Sequence, residues 1–398
     1  MSVHVVTAHG GDRAGRVRRL GDVLLRPTVV AAVFALLSVG AGIQRLMLGE
    51  SMVGGGSYTH YNNYVVFRAS FAHLVAGQDL YVAYPAEHWD LFKYSPTFAA
   101  LMAPFAMLPD SLGVVLWGLV GSLALFAGIW RFPMGDERSR MAAAWFVVLP
   151  LLQSLQNTQS NAHLAGLILL AFVWLERRQA SWAALAIALA FFLKIYGAAA
   201  VLLAVLYPWR LRVGLFVVLW TVALGLLPLV FVPPSHLAFL YESWAGLLAA
   251  DHSASTGVSV LGWLHNWFGV DPPKLAVAGA GAALMLLPLR QVRTWTDPSF
   301  RALFVAALLI WVVIFNHKAE PNTFVIAVTG VALWYFVRPR TRLKLTLLVL
   351  VFAFTCLSTT SVFPTALRRS LVQPFSLRVL PCILVWAVAV FELSRRRR

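Results

Sequence analysis

Three short stretches of this 398-residue chain crowd carboxylates against cations and amides. The first is Tyr84-Pro85-Ala86-Glu87-His88-Trp89-Asp90-Leu91-Phe92-Lys93-Tyr94-Ser95-Pro96. The second is Asp251-His252-Ser253-Ala254-Ser255, and the third is Asn316-His317-Lys318-Ala319-Glu320. A carboxylate within reach of a hydroxyl can take its proton, while lysines and amide donors hold anionic groups. Lys194 stands by itself inside a long apolar run, a costly position for an ammonium group unless an anionic partner meets it there. Metal chemistry has no comparable support: the sequence contains no Asp-x-Asp pair, and Cys356 and Cys382 lie in apolar runs without ligand spacing. No metal or cofactor is expected.

Those residues must be positioned by apolar elements. The chain is 60% hydrophobic and 12% charged, with a mean hydropathy of +0.76, whereas an ordinary soluble domain is roughly 45–50% apolar and about 25% charged. A soluble fold is ruled out. At about 20 residues per crossing, the apolar runs read as about twelve transmembrane helices. These lie near residues 28–48, 111–130, 141–155, 162–175, 181–193, 198–207, 213–232, 275–289, 303–315, 324–337, 345–359 and 380–391. The fold class is therefore an all-α integral membrane protein. Residues 1–27 form a basic cytoplasmic N-terminus, 28–394 a single multispanning domain, and 395–398 a basic cytoplasmic tail. Long exoplasmic loops cover about 49–95 and 233–274.

The net charge of +16 follows from this topology. Arginines concentrate in short turns, such as Arg138 and Arg140, Arg177 and Arg178, Arg210 and Arg212, and Arg340 and Arg342. Basic residues of that kind are retained on the cytoplasmic side and face an anionic leaflet. Nucleic-acid binding would interleave them with stacking aromatics, and it is not expected. The same topology puts all three polar clusters on the exoplasmic face, where they read as the rim of one cavity. Lys194 then marks the tip of a helical hairpin whose basic flanks share the opposite side.

Within the first loop, Tyr64, Phe67, Phe71, Leu74 and Val75 recur at helical spacing, with Arg68 and His73 on the polar face. The apolar piece 96–108 is too short to span. Both read as interfacial helices, suited to a substrate with a lipid tail and a polar head.

The run Asn63-Tyr64-Val65-Val66-Phe67, then Gly77-Gln78-Asp79-Leu80-Tyr81, then Phe92-Lys93-Tyr94-Ser95-Pro96 with Ala103-Pro104-Phe105 and Leu108-Pro109, resembles the first-loop signature of glycosyltransferase family 87. The Gln156-Asn157-Thr158-Gln159-Ser160-Asn161 run and Lys194 inside a hairpin fit the same pattern. The resemblance implies a GT-C fold and an enzyme of the plasma (inner) membrane, bacterial in type, with its active site facing the exoplasm. It further implies transfer of a hexose, typically mannose, from a polyprenyl-phosphate donor to a glycolipid or cell-envelope glycan. One departure stands out: where the family pattern places an aspartate as general base just after the first span, this chain has Asn62 and Asn63. An amide cannot accept that proton.

An inverting sugar transfer needs one carboxylate at the acceptor hydroxyl and cations at the departing phosphate. The resemblance and the spacing together assign the base to Asp90 or Glu87, with Asp251 and Glu320 in reserve. Lys194 is the first choice for the donor phosphate, followed by Lys318, His317, Arg368 and Arg369. His60 and Asn63, with Asp251 and Glu320, are the remaining substrate-binding candidates, while Gln156, Asn157, Gln159 and Asn161 either orient substrate or satisfy helix ends. Two other classes fit many spans with polar clusters: a transporter or flippase of lipid-linked sugar, and a catalytically silent relative.

Overall fold

A computed structural model describes residues 21–250, 255–337 and 339–395. Among the described residues 74% are helical and the sheet is a single antiparallel hairpin, β1 (Glu50–Val53) with β2 (Gly56–Thr59). The helices in chain order begin with α1 (Pro27–Met47), α2 (Asn62–Val75), α3 (Pro96–Leu101), α4 (Ala103–Ala106), α5 (Asp110–Trp130), α6 (Glu137–Gln156), α7 (Asn161–Glu176) and α8 (Ala180–Leu193). They continue with α9 (Val201–Val205), α10 (Arg210–Gly225), α11 (Pro234–Ala250), α12 (Val260–Phe268), α13 (Lys274–Leu286) and α14 (Pro298–Ile314). The last are α15 (Phe324–Phe336), α16 (Arg342–Leu350), α17 (Thr365–Leu367) and α18 (Leu380–Ser394). Among the described residues, four helical stretches are long and apolar enough to cross a bilayer: Pro27–Met47, Asp110–Trp130, Arg210–Val230 and Arg342–Thr359. Six further apolar helices are 10–17 residues long.

Small residues let these helices approach closely, as association in lipid requires. A Cβ on Gly166 of α7 would stand 2.6 Å from the backbone of Ala124 on α5, and one on Gly330 of α15 would stand 2.4 Å from the Ala306 carbonyl oxygen on α14. Ser38 of α1 and Ser122 of α5 share a 2.7 Å hydrogen bond between buried hydroxyls. The helix α10 behaves differently: Leu211, Leu215, Val218, Leu219 and Val222 leave an apolar stripe exposed along it. A face of that kind suits hydrocarbon rather than water.

The helix α7 separates two polar ends. At its C-terminus Glu176 receives Nε and Nη2 of Arg301 at 2.5 and 3.0 Å and the Tyr207 hydroxyl at 2.6 Å. The basic turns around residues 176–178, 207–212 and 295–301 are thereby gathered at one end. At its N-terminus Asn161 meets Lys194. Those points are the first and last of the sixteen residues of α7, a rise of about 22 Å at 1.5 Å per residue, so Lys194 and the flanks of its hairpin occupy opposite ends.

Two segments carry more structure than their composition suggests. The described residues between 233 and 274 form α11 and α12: Leu237, Leu240 and Trp244 are buried at helical spacing, Ser259 caps α12 by accepting from the Leu261 and Gly262 amides, and Gly269 ends it in the left-handed region. The helix α2 is buried well beyond one face, because α3, α4 and an aromatic cluster of Phe67, Tyr94, Phe98 and Trp117 cover it. His73 thus leaves the expected polar face. It is buried, stacked on Tyr84 with ring centroids 3.8 Å apart.

Candidate active site

The helix α8 stops at Lys194, whose extended backbone (φ −151°, ψ 127°) turns the side chain off the helix axis. The chain then reverses tightly, with the Gly197 amide donating to the Lys194 carbonyl at 2.6 Å. A Cβ at Gly197 would stand 2.1 Å from the Ala190 carbonyl oxygen. Gly197→Ala is therefore expected to force the reversal open at a cost of about 1–3 kcal/mol. A lowered thermal midpoint in detergent would register it.

Lys194 faces a cavity of about 870 Å³. Its polar rim is built by Asn63 of α2, by Asp90, Lys93 and Tyr94 from the loop before α3, and by Asn316, His317, Lys318 and Glu320 after α14. Phe192, Leu202, Leu286, Trp311, Val312 and Phe315 supply apolar walls. Two of the three polar clusters thus meet at one cavity. Val258, which follows the second cluster in the chain, donates its amide to the Ala319 carbonyl of the third at 2.8 Å. Asp251, with His252, Ser253 and Ala254 of the second cluster, lies outside the described residues.

The rim is asymmetric in charge. Lys93, Lys194 and Lys318 with His317 stand against Asp90 and Glu320 among the described lining residues, an arrangement that favours an anionic guest. Asp90 is 37% exposed, with Oδ1 3.3 Å from Lys93 Nζ and accepting from the Leu91 amide at 2.8 Å. Tyr94 lies between Lys194 and the α7 cap, its hydroxyl 3.2 Å from Ser160 Oγ and its ring centroid 5.8 Å from Lys194 Nζ. Burial pushes that phenol well above its ordinary range, so it stays protonated.

The amide run before α7 braces this end of the molecule. Asn157 O accepts from Asn63 Nδ2 at 2.8 Å, Thr158 Oγ1 accepts from the Tyr64 amide at 3.2 Å, and Asn161 Oδ1 accepts from Lys194 Nζ at 2.8 Å. The other candidates stand apart from the cavity. Glu87 is 3.2 Å from His73 Nε2, Arg368 donates to the Thr360 and Phe363 carbonyls, Arg369 is exposed, and none of these, nor His60, lines the cavity. The third cluster extends past Glu320 to Asn322 and Thr323, which also line the cavity. The signal was available: Glu320-Pro321-Asn322-Thr323 has a carboxylate and a proline at a helix start, and Glu320 and Thr323 cap each other reciprocally.

A family model described as Glycosyltransferase family 87 matches residues 92–316. No curated protein matches the chain. Among solved structures, ArnT from Cupriavidus metallidurans bound to undecaprenyl phosphate aligns with 16% identity and a TM-score of 0.45, over 92% of this chain and 76% of that one.

Proposed function

The chain belongs to glycosyltransferase family 87, and on that premise we propose that it transfers a hexose, mannose foremost, from a polyprenyl-phosphate donor to a glycolipid or cell-envelope glycan on the exoplasmic face. The observation that carries this reading is the cavity with apolar walls and a polar rim in which ammonium groups outnumber carboxylates. A polyprenyl phosphate has the matching division, an anionic head on an apolar chain.

In the proposed mechanism Asp90 accepts the proton of the acceptor hydroxyl as its oxygen attacks the anomeric carbon. The bond from that carbon to the phosphate oxygen breaks, and the charge left on the polyprenyl phosphate is met by Lys194, with Lys318 and His317 nearby. The anomeric centre is inverted. Asp90 suits this role because it is the first-loop carboxylate on the rim, while Glu87 pairs with His73 elsewhere. Glu320 is held by its own helix start. Asn62 and Asn63 stand where the resemblance puts an aspartate, and Asn63, which lines the cavity, takes the part of a hydrogen-bonding group toward the acceptor. Arg368 and Arg369, off the cavity, have no part in this site.

Purified protein incubated with labelled polyprenyl-phosphate sugars and a lipid-extract acceptor tests the proposal: consumption of the donor with release of polyprenyl phosphate is expected. A flippase would move the donor between leaflets without consuming it. A silent relative would bind it and leave it intact, and either result would overturn the proposal.

A further inference from the structure

Lys194 is joined to Glu320 through two amides. Its Nζ donates to Asn161 Oδ1 at 2.8 Å; Asn161 Nδ2 donates to the Asn322 carbonyl at 3.1 Å and reaches Asn322 Oδ1 at 3.4 Å; Asn322 Nδ2 donates to Glu320 Oε2 at 3.1 Å. The two ends fix the direction of every link. An ammonium only donates and an ionised carboxylate only accepts, so Asn161 must turn its oxygen to Lys194 and its nitrogen to Asn322, and Asn322 must turn its nitrogen to Glu320. The amides are then polarised in one sense from carboxylate to ammonium. Asn161 and Asn322 are both buried, and the rigid N-terminus of α7 and the capped turn before α15 hold them.

We infer that Asn161 and Asn322 are positioning residues that hold the Lys194 ammonium toward the cavity and keep it charged at a distance from Glu320. This rests on the reading of Lys194 as the phosphate ligand. A direct ion pair with Glu320 would neutralise the lysine and block it, whereas the relay stabilises the positive charge while engaging one of three N–H groups. Two remain for the oxygens of an anionic phosphate. The relay also occupies Glu320, which leaves Asp90 as the rim carboxylate without a commitment to Lys194.

The test is a double-mutant cycle read by equilibrium binding of a short-chain polyprenyl phosphate to the full-length protein in detergent. Asn161→Ala is expected to weaken binding about tenfold, the loss of one hydrogen bond to a charged group. In a Lys194→Met background, where the lipid chain keeps binding measurable, the same substitution should have no further effect. Asn161→Asp, which places a carboxylate against the ammonium, should weaken binding about a hundredfold. Equal losses in both backgrounds, or no loss in either, would overturn the relay. Should Asn161→Ala fail to fold, Asn322→Ser cuts the chain one link further out and carries the same cycle. Wild-type protein that binds the phosphate but transfers no sugar would remove the proposed function and leave the relay standing. Wild-type protein that does not bind it would overturn both.

Discussion

Lys194→Met is expected to lower kcat/KM for the polyprenyl-phosphate donor by about a hundred- to a thousandfold, the range seen when one preorganised donor to a developing negative charge is removed. The size of the effect follows from position. The ammonium projects from the break between α8 and the Gly197 reversal into the cavity, with aromatic rings of Tyr94 and Tyr196 at 5.8 and 6.0 Å and Asn161 as its hydrogen-bonding partner. Lysine at such a site is expensive unless an anion shares it. Met keeps the length and apolar stem, so the protein should remain folded, with a thermal midpoint lowered only by the loss of the partner of Asn161 Oδ1. Lys194→Arg separates charge from shape: the planar fork cannot reproduce a single contact to Asn161 and keep the same reach, and activity between wild type and Lys194→Met is expected. Full activity in Lys194→Met would sink this site assignment.

How far this site could be seen in advance depended on the kind of residue involved. Charged and amide residues in apolar sequence are conspicuous, because hydrocarbon tolerates them only with a purpose. That is why Asp90, Lys194, Lys318 and Glu320, spread across the chain, could be placed at one rim before any contact was known. Helix positions were legible for the same reason, as with α7 at Asn161–Glu176 and α8 at Ala180–Leu193. Partner choice was not legible. His73 sits on the polar arc of α2 by spacing alone, yet Tyr84 and Glu87, eleven and fourteen residues later, fold over it. Likewise Arg368 carries the right charge for a phosphate, but its guanidinium is used on the carbonyls of its own loop. Asn322 is not legible in the sequence because an amide is informative only when its neighbours are known, although the Glu320-Pro321 helix start points to it. Composition also obscured α11 and α12, whose polar residues masked an apolar period of three and four.

Asp90→Asn is expected to lower kcat by about a hundred- to ten-thousandfold, the usual contribution of a positioned base, while binding of the donor stays near that of wild type. The substitution is nearly isosteric and keeps an oxygen to accept from the Leu91 amide, an interaction now 2.8 Å long, so the loop before α3 should hold its shape. What the amide lacks is a lone pair basic enough to take the acceptor proton. Glu87→Gln supplies the control. That carboxylate is 3.2 Å from His73 and off the cavity, so its loss should change stability modestly and kcat by no more than severalfold. The comparison turns on Asn63, which with Asn62 stands where the resemblance would put an aspartate, and which lines the cavity and is tied by its amide nitrogen to the Asn157 carbonyl at 2.8 Å. If the base has moved from that position to Asp90, then Asn63→Asp in the Asp90→Asn protein should restore part of the lost turnover, because both side chains line the same cavity. If Asp90→Asn transfers sugar at the wild-type rate, Asp90 is not the base, and Glu320 across the rim becomes the carboxylate to examine.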